Sequence, residues 1–109
     1  MTKNKIFDFI TNELKNHNVV LFMKGTSDSP MCGFSAMVVN ILRSLKVNFR
    51  EHNILTNESL RQGVKDFSDW PTIPQLYFKG EFVGGCDIIC EMHKNKSLSQ
   101  LLKSGGNQV

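Results

Sequence analysis

The chain of 109 residues has the length and composition of one globular domain, with 40% hydrophobic and 21% charged residues. Its net charge of +3 comes from scattered basic residues, which argues against a nucleic-acid partner. No apolar run approaches the ~20 residues that cross a bilayer, so we expect no membrane partner and a cytoplasmic location. We expect a single domain over residues 1–109, with a core over about 6–102 and a flexible tail at 104–109.

The first half of the chain alternates between helical and extended patterns. Apolar residues recur at helical spacing over 6–14, and the continuous apolar run 19–23 predicts a strand buried on both faces. A polar segment rich in turn residues follows at 24–30, and helical spacing resumes after Cys32. Loose alternation over 48–54 predicts the second strand.

The second half adds a helix, a hairpin and two more helices. Helical spacing over 60–67 predicts the third helix, and two short apolar runs around Lys79-Gly80 predict a β-hairpin. Asp87 is expected to cap a helix that runs to residue 92, and Ser97 opens the last helix. This order of elements predicts an α/β fold in which about five helices flank a four-stranded mixed sheet.

The three cysteines are an odd number in a chain without an export signal, which argues against a disulfide framework. Cys32 follows a polar turn and begins a helix, where unpaired backbone N–H groups and the helix dipole favour the thiolate. Lys24 is close in sequence and adds positive charge. Although many cysteines only fill space in a core, this setting predicts that Cys32 is reactive, whereas Cys90 is expected to pack.

The second cysteine of a redox C-x-x-C motif is replaced in Cys32-Gly33-Phe34-Ser35. Because Ser35 cannot form a disulfide, dithiol chemistry through these two positions is excluded. The thiol must find its partner elsewhere, and glutathione, a second protomer, a metal centre and Cys86 all remain open.

Four segments together resemble the monothiol glutaredoxins of the CGFS type. The segments are FMKGT at 22–26, PMCGFS at 30–35, WPTIPQLY at 70–77 and GGCDI at 84–88. They stand in the order and at the spacing of that family, and the resemblance runs from about residue 6 to residue 102. It implies a thioredoxin-like fold with a groove for glutathione.

The resemblance also implies roles for the matching residues, with Cys32 as the catalytic thiol. The expected glutathione ligands are Lys24, Arg61, Ile73, Cys86 and Asp87. Among them, the two basic side chains would hold carboxylates, and the backbone at 73 would pair with the cysteinyl part of glutathione. The backbone N–H groups at 86–87 would hold the γ-glutamyl carboxylate, and the Asp87 side chain would pair with the ammonium group.

Further positions are expected to shape this site rather than to bind. These are Gly33, Phe34, Ser35, Thr72, Pro74, Gly84 and Gly85. The resemblance implies a cis peptide bond before Pro74, and a disulfide between Cys32 and Cys86 under oxidation. Trp70 has three candidate places, the core, an edge of the groove and a partner surface, and the core is favoured because large aromatic side chains are highly buried on average.

The resemblance implies that Cys32 is a ligand of a [2Fe–2S] cluster, which commonly needs four thiolates. One cysteine and one glutathione from each of two protomers supply those four ligands on a two-fold axis. We therefore expect a homodimer when the cluster is bound, and a function in cluster carriage. The family also implies a BolA-type partner, a cluster-assembly scaffold and apo iron–sulfur client proteins.

Two other functions would use the same residues. The first is a glutathione-dependent oxidoreductase that removes glutathione from protein thiols. The loop at 26–30 resembles the CGFS class, in which the glutathione thiol is held unfavourably for attack, so we expect at most weak activity of this kind. The second is an interaction module that senses redox state or iron through Cys32 and Cys86.

Overall fold

The structure is a computed structural model that describes residues 3–104. Its helices and strands are α1 (Lys3–Asn16), β1 (Val19–Met23), α2 (Gly33–Ser44), β2 (Arg50–Asn53), α3 (Glu58–Ser68), β3 (Gln75–Phe78), β4 (Glu81–Gly84), α4 (Cys86–Lys94) and α5 (Ser97–Ser104). The predicted order of elements is confirmed. Of the tail predicted at 104–109, Ser104 ends α5 and the remaining residues lie outside the described part of the chain.

The four strands form one mixed sheet in the order β2-β1-β3-β4. β1 runs parallel to β2 and antiparallel to β3, and β3 pairs with β4 in an antiparallel hairpin. The hairpin turn has positive φ at both central residues, Lys79 and Gly80, which matches the twist of the flanking strands. The predicted thioredoxin-like α/β fold is thus confirmed.

Two predicted elements have boundaries that are wrong by one or two residues. The second strand begins at Arg50 rather than at residue 48, and the helix expected to end at residue 92 ends at Lys94. The second strand ends at Asn53 rather than at residue 54, because the Asn53 side chain accepts the Leu55 N–H at 3.0 Å and turns the chain into a short 3₁₀ helix, Ile54–Thr56. The helix expected to follow Asp87 begins at Cys86, with Gly85 as its N-cap residue.

The core has two parts, one on each face of the sheet. Every residue of β1 is buried, and alternate side chains face opposite sides. Val19, Leu21 and Met23 pack with α2, α4 and α5, whereas Val20 and Phe22 pack with α1 and α3. Within residues 3–104, none of the helices combines the length and the apolar character needed to cross a bilayer.

Candidate functional site

Three chain segments meet at one edge of the sheet. Phe22, near the end of β1, pairs with Gln75 at the start of β3, and Leu76 pairs with Gly84 at the end of β4. The loop after β1, the loop before β3 and the turn after β4 therefore converge at the same edge. This convergence brings together the three motifs that surround Cys32.

Cys32 is the N-cap residue of α2, with extended backbone angles of φ −156° and ψ 134°. Burial of the side chain opposes its ionisation, but the backbone N–H groups of Ser35 and Phe34 donate towards the sulfur. The charge of Lys24 and the Ser35 hydroxyl act in the same direction. Together they hold the pKa of Cys32 below its ordinary value, which favours the nucleophilic, metal-binding thiolate.

Ser35 fixes the first turn of α2 against the end of β1. It is fully buried, and its hydroxyl accepts a hydrogen bond from the Lys24 N–H at 3.1 Å. The residue therefore supports the Cys32 thiolate while offering no sulfur for a disulfide. All three cysteines are free thiols in this structure.

The loop between β1 and α2 depends on a glycine. Gly25 has a φ of +87°, and a Cβ there would lie 2.6 Å from the backbone nitrogen of Met31 and from the Ser29 carbonyl oxygen. The Gly25 N–H also donates to the Asn53 side chain at 2.9 Å, and the Met31 N–H donates to the Lys24 carbonyl at 2.9 Å. Only glycine fits this backbone conformation and spacing, so the placement of the reactive cysteine rests on it.

A groove with a cavity volume of about 360 Å³ opens next to the start of α2. This volume lies in the range of small-molecule sites. The structure brings most of the predicted site residues to its lining, namely Lys24, Phe34, Thr72, Ile73, Pro74, Gly85, Cys86 and Asp87. The charged residues of the lining are two lysines, Lys24 and Lys65, and one carboxylate, Asp87.

The loop before β3 is held in place by a buried glutamine that the sequence did not single out. The peptide bond before Pro74 is cis, as the family resemblance implies. Gln75 is fully buried, and its Nε2 donates to the carbonyls of Trp70 at 3.1 Å and Thr72 at 3.2 Å. Its Oε1 accepts from the Tyr77 hydroxyl at 3.2 Å. These bonds fix the backbone that lines the groove.

The expectation that Trp70 lies in the core is wrong, because this residue lines the groove. Its ring lies against Phe82 with a centroid distance of 5.6 Å, and its side chain is half-buried. Among the side chains of residues 3–104, Trp70 Nε1 is the buried nitrogen or oxygen left without a hydrogen-bond partner. A Cβ on Gly85 would lie 3.3 Å from Trp70 Nε1 and from the Pro74 carbonyl oxygen, so the absence of a side chain keeps this cradle open.

Asp87 lies in the first turn of α4 rather than at its N-cap. A carboxylate remains favourable there, because the N-terminus of a helix carries partial positive charge. Gly84, with a φ of +154°, turns the chain from β4 into this helix, and a Cβ there would lie 2.8 Å from Ile88 side-chain atoms. The start of α4 is therefore positioned by Gly84, which no other residue type could replace without strain.

The basic residues that line the groove differ from the predicted ones at one position. Arg61 is not among the groove-lining residues, whereas Lys65, which the sequence analysis missed, is one of them. Both residues lie on α3, four positions apart and therefore on the same side of the helix. That i, i+4 spacing is the signal that could have found Lys65. The role predicted for Arg61 stays a prediction.

Cys86 has the opposite electrostatic setting from Cys32. Burial raises the pKa of Cys86 to about 11, and the neighbouring Cys90 thiol and the charges of Asp87 and Cys32 act in the same direction. Cys86 therefore stays protonated near neutral pH, while Cys32 ionises more readily. Within residues 3–104, no group of three His, Cys, Asp or Glu side chains is arranged to hold a metal ion, so a metal at Cys32 would need ligands from outside the chain.

Comparisons with known proteins agree on one family. A family model described as Glutaredoxin matches residues 19–83. The probable monothiol glutaredoxin 2 of Rickettsia felis is 59% identical over 103 residues, which cover 94% of this chain and 99% of that protein. The solution structure of reduced apo GrxS14 from poplar superposes with a TM-score of 0.85 at 49% identity, and covers 96% of this chain and 97% of that one.

A further structural neighbour shares only the fold. The crystal structure of a buckwheat glutaredoxin–glutathione complex superposes with a TM-score of 0.87, at 17% identity, over 98% of this chain and 96% of that chain. At such low identity the likeness shows that the thioredoxin-like architecture is common to both proteins. The match to the family model and the similarity to the Rickettsia protein cover the motifs around the reactive cysteine.

Proposed function

This chain belongs to the glutaredoxin family as a monothiol glutaredoxin, and on that premise we propose that it binds glutathione beside Cys32 and carries a [2Fe–2S] cluster in the cytoplasm. The observation that carries the proposal is the setting of Cys32. This single activated thiol is not itself part of the groove lining, but Phe34, two residues further along the chain, lines the groove of about 360 Å³. Ser35 stands where a dithiol protein has its second sulfur.

The groove has the donor set that glutathione requires. Glutathione carries two carboxylates, one ammonium group and one thiol. Lys24 and Lys65 are the cations for one carboxylate, and the backbone N–H groups at the start of α4 suit the other. The Asp87 carboxylate suits the ammonium group, and the unpartnered Trp70 Nε1 offers a further donor in the cradle beside Gly85. The residues present therefore fit glutathione.

Cluster carriage follows from the count of sulfur ligands. Cys32 provides one thiolate, and the thiol of glutathione in the groove provides a second. A two-fold dimer doubles this number to the four ligands that a [2Fe–2S] cluster needs. Because half of these ligands belong to exchangeable small molecules, the cluster is released easily, which suits a carrier rather than an electron-transfer protein.

The surface around Cys32 supports docking of a second protein. Met31 is 66% exposed and Phe34 is 60% exposed, although both are large apolar side chains. Ile88, which lines the groove, is 37% exposed. Exposed apolar residues clustered at a reactive site are typical of an interface. We assign this surface to the second protomer of the cluster-bound dimer, and to the BolA-type partner, scaffold and apo client proteins that would replace it.

The lowered pKa of Cys32 also favours a second candidate function, the removal of glutathione from protein thiols. In that reaction the Cys32 thiolate attacks the glutathionyl sulfur of a mixed disulfide, and the protein thiolate leaves. A second glutathione then attacks the Cys32–glutathione disulfide, which releases glutathione disulfide and restores the Cys32 thiolate. Both reactions need the same groove, so their products must distinguish them.

Anaerobic reconstitution with iron, sulfide and glutathione tests the proposal. The wild type is expected to gain the absorption and circular dichroism of a [2Fe–2S] cluster only with glutathione present, and to elute as a dimer. Cys32→Ser should stay colourless, whereas the matched control Cys90→Ala should still bind the cluster. The wild type could instead stay colourless and monomeric but rapidly reduce a glutathione mixed disulfide. That result would refute cluster carriage and support the oxidoreductase function.

A further inference from the structure

Three sulfur atoms lie together on the side of α4 that packs against α2. Cys86 and Cys90 are one helical turn apart on α4, with 3.9 Å between their Sγ atoms. The Sδ atom of Met37, on α2, lies 3.1 Å from Cys90 Sγ and 3.8 Å from Cys86 Sγ. We call these residues the sulfur triangle. Only the Cys86 position takes part in the proposed glutathione chemistry.

The triangle has nearly the dimensions of a trigonal metal site. Metal–thiolate bonds of about 2.3 Å place three sulfur ligands about 4.0 Å apart around a central ion. Two edges of the triangle, at 3.8 and 3.9 Å, already have this length. The third edge, at 3.1 Å, must lengthen by roughly 0.9 Å, which the unbranched and 47% exposed Met37 side chain can accommodate by rotation.

A disulfide fits the same two cysteines less well. Residues four apart on a helix have Cβ atoms about 5–6 Å apart, whereas a disulfide needs about 3.5–4.5 Å. Joining Cys86 to Cys90 would therefore distort the first turns of α4. A metal ion spans the gap without such distortion, because it adds two bonds of its own between the sulfur atoms.

The ligand set selects the kind of ion. Thiolate and thioether sulfur are soft ligands that favour Cu(I), whereas a structural Zn²⁺ site takes four ligands. Within the described residues, no third His, Cys, Asp or Glu joins the two cysteines in a metal-binding group. We propose that Met37, Cys86 and Cys90 form a binding site for one soft monovalent metal ion of the Cu(I) class.

This site goes beyond the proposed glutathione and cluster function. Binding exchanges thiol protons for the metal ion, so that two protons leave and no electron is transferred. The ion has a path from solvent, because Met37 and His93 line an open surface groove of about 420 Å³ next to the triangle. Both cysteines are half-buried rather than enclosed.

The test uses the full-length Cys32→Ser protein, without glutathione and under anaerobic conditions, so that neither Cys32 nor a [2Fe–2S] cluster contributes. Cu(I) is added against a chromophoric Cu(I) chelator, and methionine methyl groups labelled with ¹³C are followed by NMR. We expect one tightly bound Cu(I) per chain and a shift of the Met37 methyl signal. The Met31 signal is the internal control, because this exposed methionine is not part of the triangle.

Two double variants complete the test. Adding Cys90→Ala is expected to weaken Cu(I) binding by at least about 100-fold, and adding Met37→Leu by about 10-fold, since a thioether is the weaker ligand. Folding of each variant is checked by its NMR spectrum. An unmoved Met37 methyl signal, unchanged Cu(I) affinity in the Cys90→Ala protein, or equally tight binding of Zn²⁺ would each overturn the proposal. None of these results depends on whether the protein carries a cluster.

Discussion

Substitution of Gly63 by alanine tests how closely α1 and α3 must approach. Gly63 is buried in the interior of α3, and a Cβ there would lie 2.0 Å from Cγ2 of Ile6 on α1. Because carbon atoms in contact are about 3.5–4.0 Å apart, the two helices or the Ile6 side chain must move by roughly 1.5 Å. Rotation of Ile6 is disfavoured, since a β-branched side chain has one strongly preferred rotamer in a helix.

Two opposing effects set the size of the change. Overpacking a close core contact costs about 1–3 kcal/mol, whereas replacing glycine by alanine inside a helix gains up to about 1 kcal/mol in propensity. We therefore expect Gly63→Ala to lower the free energy of unfolding by about 1–2 kcal/mol. In a domain of this size each kcal/mol lowers the melting temperature by roughly 4–8 °C. Displacement of α3 would also move Lys65 and weaken glutathione binding.

Chemical denaturation of the wild type and four variants checks this reasoning. Gly33→Ala is the matched control, because a Cβ there meets nothing within 4 Å, so its stability should change little. Ile6→Ala alone should cost about 2–5 kcal/mol. In that background Gly63→Ala should destabilise the protein much less, because the Cγ2 atom at 2.0 Å is gone and only the Cβ of residue 6, at 3.2 Å, stays close. A Gly63→Ala protein as stable as the wild type, or additive losses in the double variant, would refute the proposed contact.

Three further predictions concern the site and its support. Lys24→Gln should raise the pKa of Cys32, because it removes a charge that favours the thiolate, and the pH dependence of alkylation measures this. Gln75→Leu should cost about 1–3 kcal/mol in denaturation, since two loop carbonyls lose their buried donor. Burial lowers the pKa of His52 below 6.5, so the unfolded state binds a proton more readily than the folded state does. The free energy of unfolding should therefore be unaffected by His52 above pH 6.5 and should fall as the pH drops below it. Burial raises the pKa of Glu13, but its bonds to neighbouring basic side chains outweigh this effect and hold the pKa below 4.5. We therefore expect a second loss of stability below pH 4.5. A stability profile that stays flat between pH 6.5 and pH 4.5 would contradict the His52 assignment, and one that shows no further loss below pH 4.5 would contradict the Glu13 assignment.

Most of the fold was predictable because its signals are local. Helical and extended periodicities gave the order of all nine main elements, and the two-residue turn at Lys79-Gly80 gave the hairpin. The end of β2 was missed because it depends on a side chain that reaches a backbone group. Asn53 ends β2 by accepting the Leu55 N–H, and no periodic pattern carries that information.

The residues of the site were predictable only where they belong to one of the family motifs. The contacts between Met37 and Cys90 join residues 53 positions apart, and they arise because α2 and α4 pack on the same face of the sheet. Trp70 was expected in the core from its size, but its loop lies at the sheet edge and places it in the groove. Lys65 enters the groove through the position of α3. The positions of Met37, Cys90 and Trp70 are decided by how elements pack, which composition and spacing do not encode.

Cys32 and Cys86 differ in thiol pKa, and this difference affects which thiol reacts first and which thiol then reduces an oxidised Cys32. The raised pKa keeps the Cys86 thiol protonated near neutral pH. The largest cause of this pKa is burial rather than the charge of Cys32, so it persists after Cys32 has been modified. Free glutathione, whose thiol is solvated, therefore resolves an oxidised Cys32 more readily than Cys86 does. The electrostatics thus favour glutathione as the partner of Cys32, and the Cys32–Cys86 disulfide implied by the family resemblance becomes competitive only when glutathione is scarce.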